Sequence, residues 1–460
     1  MKLTVIGGGG VRAPLFVGSA LRRAERSGLT EICLQDIDEK KLDLFGRLSQ
    51  EVARRMQSPV RVTMAREAER ALEGASYVVT TVRPGFEDGR IKDERISLSH
   101  GVLGQETTGP GGFAMALRSI PAILSYAETL KRVSPEAWLF NFTNPAGLVA
   151  QALQDAGYHR TVGICDGANG AQEALAHWFK VPQNDIRAEV YGLNHLSFTR
   201  SARIKSEEVL QPLIDDDHFL KSTRQRMFDP KLIRRQRNWI NEYLYYYYYA
   251  EKAVEALKAD ARTRGEEVKD LNAALIAGLA GIDLDKSADE ALARYYAYER
   301  RRNATYMHYA RDDAPSMEEA DRLVETAVVE TGEEGEGYAG VALNLIDALE
   351  TNVPCYSGLN VRNDGAIDGL AADDVVEVSC VIDKSGIKPV KIGAMPDAQG
   401  QLVRSVKHYE RLAIRAISRR DCDTAIEALM AHPLVLSYSR AAPLVDEYLA
   451  AHKDYAGEWT

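Results

Sequence analysis

Two short segments thirty residues apart carry the residue types best suited to metal chemistry: Gly163-Ile164-Cys165-Asp166 and Gly192-Leu193-Asn194-His195. A thiolate and an imidazole together suit a transition metal. Two protein ligands leave positions open for substrate hydroxyls and water, as a catalytic metal requires. Taken singly, a cysteine at a strand end is commonly a small core residue, and a lone histidine is commonly structural. The pairing gains force from the start of the sequence, where Gly7-Gly8-Gly9-Gly10-Val11-Arg12-Ala13 fits G-x-G-x-x-A from Gly8. Glycines in such a turn let the backbone approach a pyrophosphate, which sits at the N-terminus of the following helix. Asp36 closes the next apolar run. A carboxylate there binds a ribose 2′-hydroxyl and favours NAD over NADP, although Arg12 could instead meet a 2′-phosphate. A nucleotide fold with a two-ligand metal site suits chemistry that passes through oxidation of a substrate alcohol.

The elements that must position these residues follow from the apolar pattern. Lys2–Ile6 reads as a buried strand, Pro14 to about Arg26 as a helix, Glu31–Asp36 as a second strand and Asp38–Arg54 as a second helix. Ser76–Val82, Trp138–Phe142 and Thr161–Cys165 read as further strands, with a long helix over Ala114–Arg132. This β-α-β alternation predicts an α/β fold: a Rossmann-type, doubly wound parallel sheet with helices on both faces. After Tyr191 the pattern changes. A helical region carries Asn241-Glu242-Tyr243-Leu244 and the five tyrosines Tyr245–Tyr249. Lys252–Ala280 and Ala288–Ala310 are polar and helix-prone, Asp312–Gly335 is acidic, Val375–Val381 alternates like a strand and Val403–Ser418 is helical. The expected division is a nucleotide-binding domain over residues 1–191 and a second, interleaved α/β domain over 192–460 for substrate, metal and oligomerisation.

Composition narrows the function. The 460 residues suffice for two or three domains, and 45% apolar with 27% charged residues is ordinary for a soluble globular protein. A net charge of −10 argues against a nucleic-acid or anionic-membrane partner. No uncharged apolar stretch approaches membrane-spanning length. The opening Met1–Gly7 reads as a first strand rather than a secretion signal, because glycines stand where the apolar region would be. The five cysteines, Cys33, Cys165, Cys355, Cys380 and Cys422, are odd in number and scattered, which predicts reduced thiols and a cytoplasmic location.

The sequence resembles the NAD- and manganese-dependent glycosidases of glycoside hydrolase family 4, an exception to the usual two-carboxylate route. The resemblance runs over nearly the whole chain. It rests on the glycine turn, Arg83-Pro84-Gly85, Gly104-Gln105-Glu106-Thr107-Thr108-Gly109-Pro110-Gly111-Gly112, Asn141-Phe142-Thr143-Asn144-Pro145 and Ile164-Cys165-Asp166. It continues through Gly192-Leu193-Asn194-His195-Leu196-Ser197-Phe198, Asn241–Leu244, Thr263-Arg264-Gly265-Glu266-Glu267-Val268 and Asn363-Asp364-Gly365-Ala366-Ile367. It implies NAD held by Gly7 to Arg12, Asp36 and Arg83, and Mn²⁺ or another divalent metal held by Cys165 and His195. It further implies oxidation at C3 of the sugar, removal of the C2 proton, elimination at C1, addition of water and return of the hydride. In this scheme Tyr243 is the base, Glu106 raises its basicity and Asp166 is a general acid, with an orienting role for Asp166 equally open. Asn144 and Arg90 match substrate-binding positions. Arg264 matches an arginine associated with a sugar 6-phosphate, for which a guanidinium fork is well shaped. A homodimer or homotetramer is the implied assembly, and a small glycoside the implied partner.

Within the family the likeness is greatest to the 6-phospho-β-glucosidases, through Arg83-Pro84-Gly85, Asn194–Phe198, the tyrosine run and His408-Tyr409-Glu410-Arg411-Leu412. Asp166 stands where that subgroup usually has asparagine and looks more like the 6-phospho-α-glucosidases. Gly167-Ala168 replaces an apolar-Pro pair, and Glu333–Tyr338 is acidic where phospho-β relatives tend to be basic. The expected activity is hydrolysis of 6-phospho-β-glucosides. The alternatives are an α-glucosidase or 6-phospho-α-glucosidase of the same family, an NAD-dependent dehydrogenase, or a non-catalytic sensor. The last two leave Cys165, His195 and Tyr243 without a joint purpose.

Overall fold

A nine-stranded sheet organises the molecule, and six of its strands are parallel. In the computed structural model, which describes residues 1–304, Met307 and 337–460, these six are β1 (Lys2–Ile6), β2 (Glu31–Gln35), β3 (Arg61–Ala65), β4 (Tyr77–Thr80), β5 (Trp138–Asn141) and β6 (Thr161–Gly163). Their spatial order, β3-β2-β1-β4-β5-β6, is the doubly wound dinucleotide-fold order. The inner strands β1, β2 and β4 are short runs buried on both faces, as a parallel sheet covered by helices requires, while the edge strand β3 is only partly buried. Local signals place the helices. Pro14 opens the helix Ala13–Arg22, and the Asp38 side chain caps Glu39–Arg55 by accepting from Lys41 N at 3.1 Å. The long helix covers Pro110–Val133, wider than the expected Ala114–Arg132.

The C-terminal half adds to this same sheet. β7 (Ile186–Leu193) and β8 (Leu196–Ile204) form a hairpin, extended by β9 (Glu207–Glu208) and β10 (Trp239–Ile240) into a small second sheet. β11 (Cys355–Arg362), β12 (Val375–Asp383) and β13 (Gly386–Pro389) are antiparallel and continue the large sheet beyond β6. The two sheets are tied at Ser379, whose hydroxyl donates to Ala188 O at 2.6 Å and accepts from Val190 N at 2.7 Å.

Tyr191, where the sequence pattern changes, lies inside β7, because apolar alternation continues through the hairpin. The tyrosine run is shorter in helix than expected: Glu242–Leu244 is a 3₁₀ turn and only Tyr245–Tyr248 is α-helical. Helices then occupy Ala250–Ala259, Arg264–Ala280 and Leu284–Ala304. The acidic stretches Asp312–Gly335 and Glu333–Glu336 lie outside the described residues. No helix among the described residues is long and apolar enough to cross a membrane. All five cysteines are free.

Candidate active site

The carboxyl ends of the parallel strands point into one large cavity of about 1820 Å³. Open α/β sheets bind ligands at that edge. Gly7 follows β1, Asp36 follows β2, Arg83 lies beyond β4, Asn144 beyond β5 and Cys165 two residues past β6. All five line the cavity, together with Gly9, Gly10, Val11, Arg12, Arg90, Glu106, Asp166, His195, Tyr243 and Arg264. Gly8 alone of the expected set is not on the wall. A Cβ there would lie 2.8 Å from Leu34 Cα, so Gly8 serves the packing of the turn on β2.

At the cofactor end, Gly9 N donates to Asp36 Oδ2 at 3.0 Å, and Asp38 N donates to Asp36 Oδ1 at 3.0 Å. A Cβ at Gly9 would meet Asp36 Oδ2 at 2.9 Å, so only glycine brings turn and carboxylate together. Burial raises the Asp36 carboxyl above its ordinary range, against the pull of the two backbone donors. Arg12 is the N-cap residue of the first helix, at the same end of the cavity.

Deeper in, Cys165 Sγ and His195 Nε2 are 3.4 Å apart, and both residues are buried. His195 occupies the two-residue turn between β7 and β8, with φ +62°. Its ring is fixed from both sides. The Tyr243 ring stacks on it at 3.7 Å between centroids and 6° between planes, and Thr107 Oγ1 lies 3.0 Å from Nδ1. The Thr107 hydroxyl donates its one hydrogen to Gln105 Oε1 at 3.0 Å. In the tautomer that donates from Nδ1–H to this hydroxyl, the Nε2 lone pair is directed at the cysteine. Burial lowers the His195 pKa to about 4, against the pull of Asp166 and Glu106, so the imidazole is neutral near pH 7. Burial and the neighbouring Asp166 push the Cys165 thiol up. The donor set fits a metal: bonds of about 2.3 Å to sulfur and about 2.0 Å to nitrogen at a tetrahedral angle place two such donors about 3.5 Å apart. Among the described residues no three His, Cys, Asp or Glu side chains converge, so this pair leaves the remaining positions to other ligands.

Glu106 stands between Arg83 and Arg90. It is ion-paired with Arg83 Nη1 and lies 3.3 Å from Arg90 Nη1, while Arg90 Nε also binds Glu94 Oε1 at 2.7 Å. Burial would raise the Glu106 carboxyl, but the two guanidiniums outweigh it and hold the pKa at about 2. Gln105 shapes this loop by accepting from Thr107 N and Thr108 N, each at 2.7 Å. Arg264 opens the helix Arg264–Ala280 behind a capping box made by Thr263 and Glu266. Its guanidinium donates to Glu267 Oε2 at 3.1 Å and Arg302 O at 3.0 Å. Asp166 is exposed beside Cys165, its Oδ1 3.8 Å from Sγ. Many further charged residues line the cavity and were missed from the sequence, among them Glu173, Arg224 and Glu242. Burial raises the Glu173 carboxyl, and Arg224 pairs with the buried Glu242. Glu242 adjoins Tyr243 in a segment already singled out, which was the available signal.

Fold and cavity define a dinucleotide-fold protein with a thiol–imidazole pair at the switch edge. Residues 2–181 match the family 4 glycosyl hydrolases and residues 190–435 match the family 4 glycosyl hydrolase C-terminal domain. The chain belongs to the family 4 glycosyl hydrolases. It is 30% identical to a probable 6-phospho-beta-glucosidase of Bacillus subtilis, covering 99% of this chain and 97% of the relative. It is 26% identical to 6-phospho-alpha-glucosidase 1 of Lacticaseibacillus paracasei, covering 99% and 98%. The 6-phospho-beta glucosidase of Thermotoga maritima, solved with manganese, NAD⁺ and glucose-6-phosphate, superposes with a TM-score of 0.81 at 28% identity, covering 99% of both chains.

Proposed function

We propose that this chain hydrolyses 6-phospho-β-D-glucosides with NAD and a divalent metal, Mn²⁺ in the first instance. The observation that carries the reading is the stack of Tyr243 on His195 with Cys165 Sγ 3.4 Å from Nε2, in the cavity that the glycine turn also lines. Relatives named for phospho-β substrates, including the 30% identical protein of Bacillus subtilis, support the anomer. NAD, when bound, supplies reversible hydride acceptance at C3, and a metal supplies Lewis acidity at the C2 and C3 oxygens. Residues 1–191 hold the cofactor through Gly7, Gly9, Gly10, Val11, Arg12, Asp36 and Arg83, with Gly8 packing the turn. Residues 192–460 complete the substrate side. Cys165 and His195 are the metal ligands. Tyr243 removes the C2 proton, which the C3 ketone has acidified. Glu106, anionic between its arginines, supplies negative potential to this part of the cavity. Asp166 hands a proton to the departing C1 oxygen. Asn144 and Arg90 bind the sugar hydroxyls, and Arg264 binds the 6-phosphate. The enzyme works in the cytoplasm as a homodimer or homotetramer.

A second reading, a 6-phospho-α-glucosidase, is favoured by one observation: Asp166 is exposed at the cavity wall beside Cys165. The test is turnover of four nitrophenyl glucosides, α and β, each with and without a 6-phosphate, with NAD, Mn²⁺ and reductant and with each omitted in turn. Cleavage of the phospho-β compound alone, dependent on NAD and metal, is the expected result. Cleavage of the phospho-α compound alone moves the anomer, and net NADH production without cleavage refutes the glycosidase reading.

A further inference from the structure

Behind the Cys165–His195 pair lies a carboxylate that the chemistry above does not use. Glu377 is completely buried in β12, between Val376 and Val378. Burying a carboxylate in an apolar strand is costly. Three strands meet at this point. Gly163 on β6, Asn360 on β11 and Glu377 on β12 form one rung of the sheet. The absent side chain of Gly163 makes room, since a Cβ there would lie 2.8 Å from Asn360 Cβ.

The rung is wired to the strand end of Cys165 and the turn of His195, and it lies beside the segment that sets Tyr243. Asn360 Nδ2 donates to Glu377 Oε1 at 3.2 Å and reaches Gly163 O at 3.4 Å, two residues before Cys165. Asn194 Nδ2, in the turn that carries His195, donates to the same Oε1 at 3.2 Å. Ser197 lies beside Glu377, and its hydroxyl accepts from Asn241 Nδ2 at 3.2 Å. Asn241 Oδ1 then accepts from Tyr243 N at 3.0 Å, which sets the turn bearing that ring.

We propose that Glu377 is a positioning residue, the hub that fixes the strand end of Cys165 and the turn of His195 relative to one another, so that the metal pair is preformed. The inference rests on the metal reading given under Proposed function. Supporting groups of this kind hold metal ligands in orientation, and their loss costs about 10–100-fold in metal affinity.

The test is Mn²⁺ titration of the full chain, followed by electron paramagnetic resonance, with Co²⁺ spectra recorded beside it. Glu377→Ala is expected to weaken Mn²⁺ binding about 10–100-fold. It should also alter the thiolate-to-Co²⁺ charge-transfer band while leaving NAD affinity unchanged. Glu377→Gln keeps an oxygen for Asn194 and Asn360, and is expected to recover most of the lost affinity. Should Glu377→Ala fail to fold, Asn194→Ala, which cuts the link to the His195 turn alone, carries the same expectation in weaker form. Variants that bind both metals like the wild type overturn the hub, as does parallel loss of metal and NAD affinity. A wild-type chain that binds neither metal overturns the metal reading itself.

Discussion

Glu106→Gln isolates the electrostatics of the cavity floor. The fold holds this carboxyl at about 2 against an ordinary value of 4.5. At about 1.36 kcal/mol per pH unit, that difference corresponds to about 3 kcal/mol favouring the ionised form. The side chain is only 15% exposed, so solvent screening removes little of it. The arginines do not lose every partner: Arg83 keeps Glu87 at 3.7 Å and Arg90 keeps Glu94 at 2.7 Å. The expected loss of unfolding free energy at pH 7 is therefore about 2–3 kcal/mol, below the range for stranding a buried charge. The pH dependence has a definite sign. Because the folded pKa is depressed, the stabilisation is complete above about 4.5 and disappears as pH falls toward 2. Urea unfolding of wild type and variant, followed by tryptophan fluorescence without added ligands, reads both quantities. The gap between the two curves should shrink to less than half by pH 3. Equal stabilities at pH 7, or a gap that stays constant down to pH 3, would refute the reasoning.

Three further outcomes are expected. Cys165→Ser should lower metal-dependent turnover by roughly a thousandfold, the equivalent of several kcal/mol of Lewis-acid assistance; activity retained without added metal would sink the site assignment. Arg264→Ala should raise KM for the phosphorylated glucoside roughly 10–100-fold, the worth of one or two charge-assisted hydrogen bonds, and leave an unphosphorylated glucoside unaffected; equal effects on both would remove its phosphate role. Burial raises the Glu377 carboxyl from 4.5 to about 7, against hydrogen bonds from Ser197, Asn194 and Asn360. Its contribution to stability is thus full below about 4.5 and lost as pH rises to 7, up to about 3 kcal/mol. In metal-free protein, melting curves of Glu377→Gln should lack this fall, and parallel pH profiles would show that Glu377 is not the group responsible.

What was legible in the sequence was local. Gly7 to Ala13, the strand ending at Gln35 and the Asp38 cap are each declared within a few residues, whereas β3 and the helices Phe86–Ser99, Ala146–Asp155 and Gly170–Phe179 of the same half were not read. The hairpin that presents His195 was not read as such: its strands pair locally, but the irregularity between Ala188 and Val190 is held by Ser379 of a distant strand. Nor was the antiparallel extension by β11–β13, whose register is set against β6 across nearly 200 residues. Thr107, whose hydroxyl meets His195 Nδ1, is 88 residues away, and its motif does not announce that contact. Glu377 did leave a trace: a lone charge inside Val375-Val376-Glu377-Val378 is out of place in a buried strand and marks a side chain with a task. Arg83, Arg90 and Glu106 were each singled out, but their mutual pairing is a property of the folded loop and emerges only in three dimensions.

The seating of β11 against β6 also sets a timetable. Asn360 lies 197 residues beyond Gly163. At about 5–20 residues per second, a ribosome needs roughly 10–40 s to deliver the partner of a strand already made. Through that interval the β6 edge is exposed and open to pairing with another nascent chain. Cys165 and His195 emerge together, while Asn360 and Glu377, which hold the strand end and the turn, are made much later. Overproduction at high temperature would thus be limited by a vulnerable half-made sheet, and slower or cooler expression would favour soluble product.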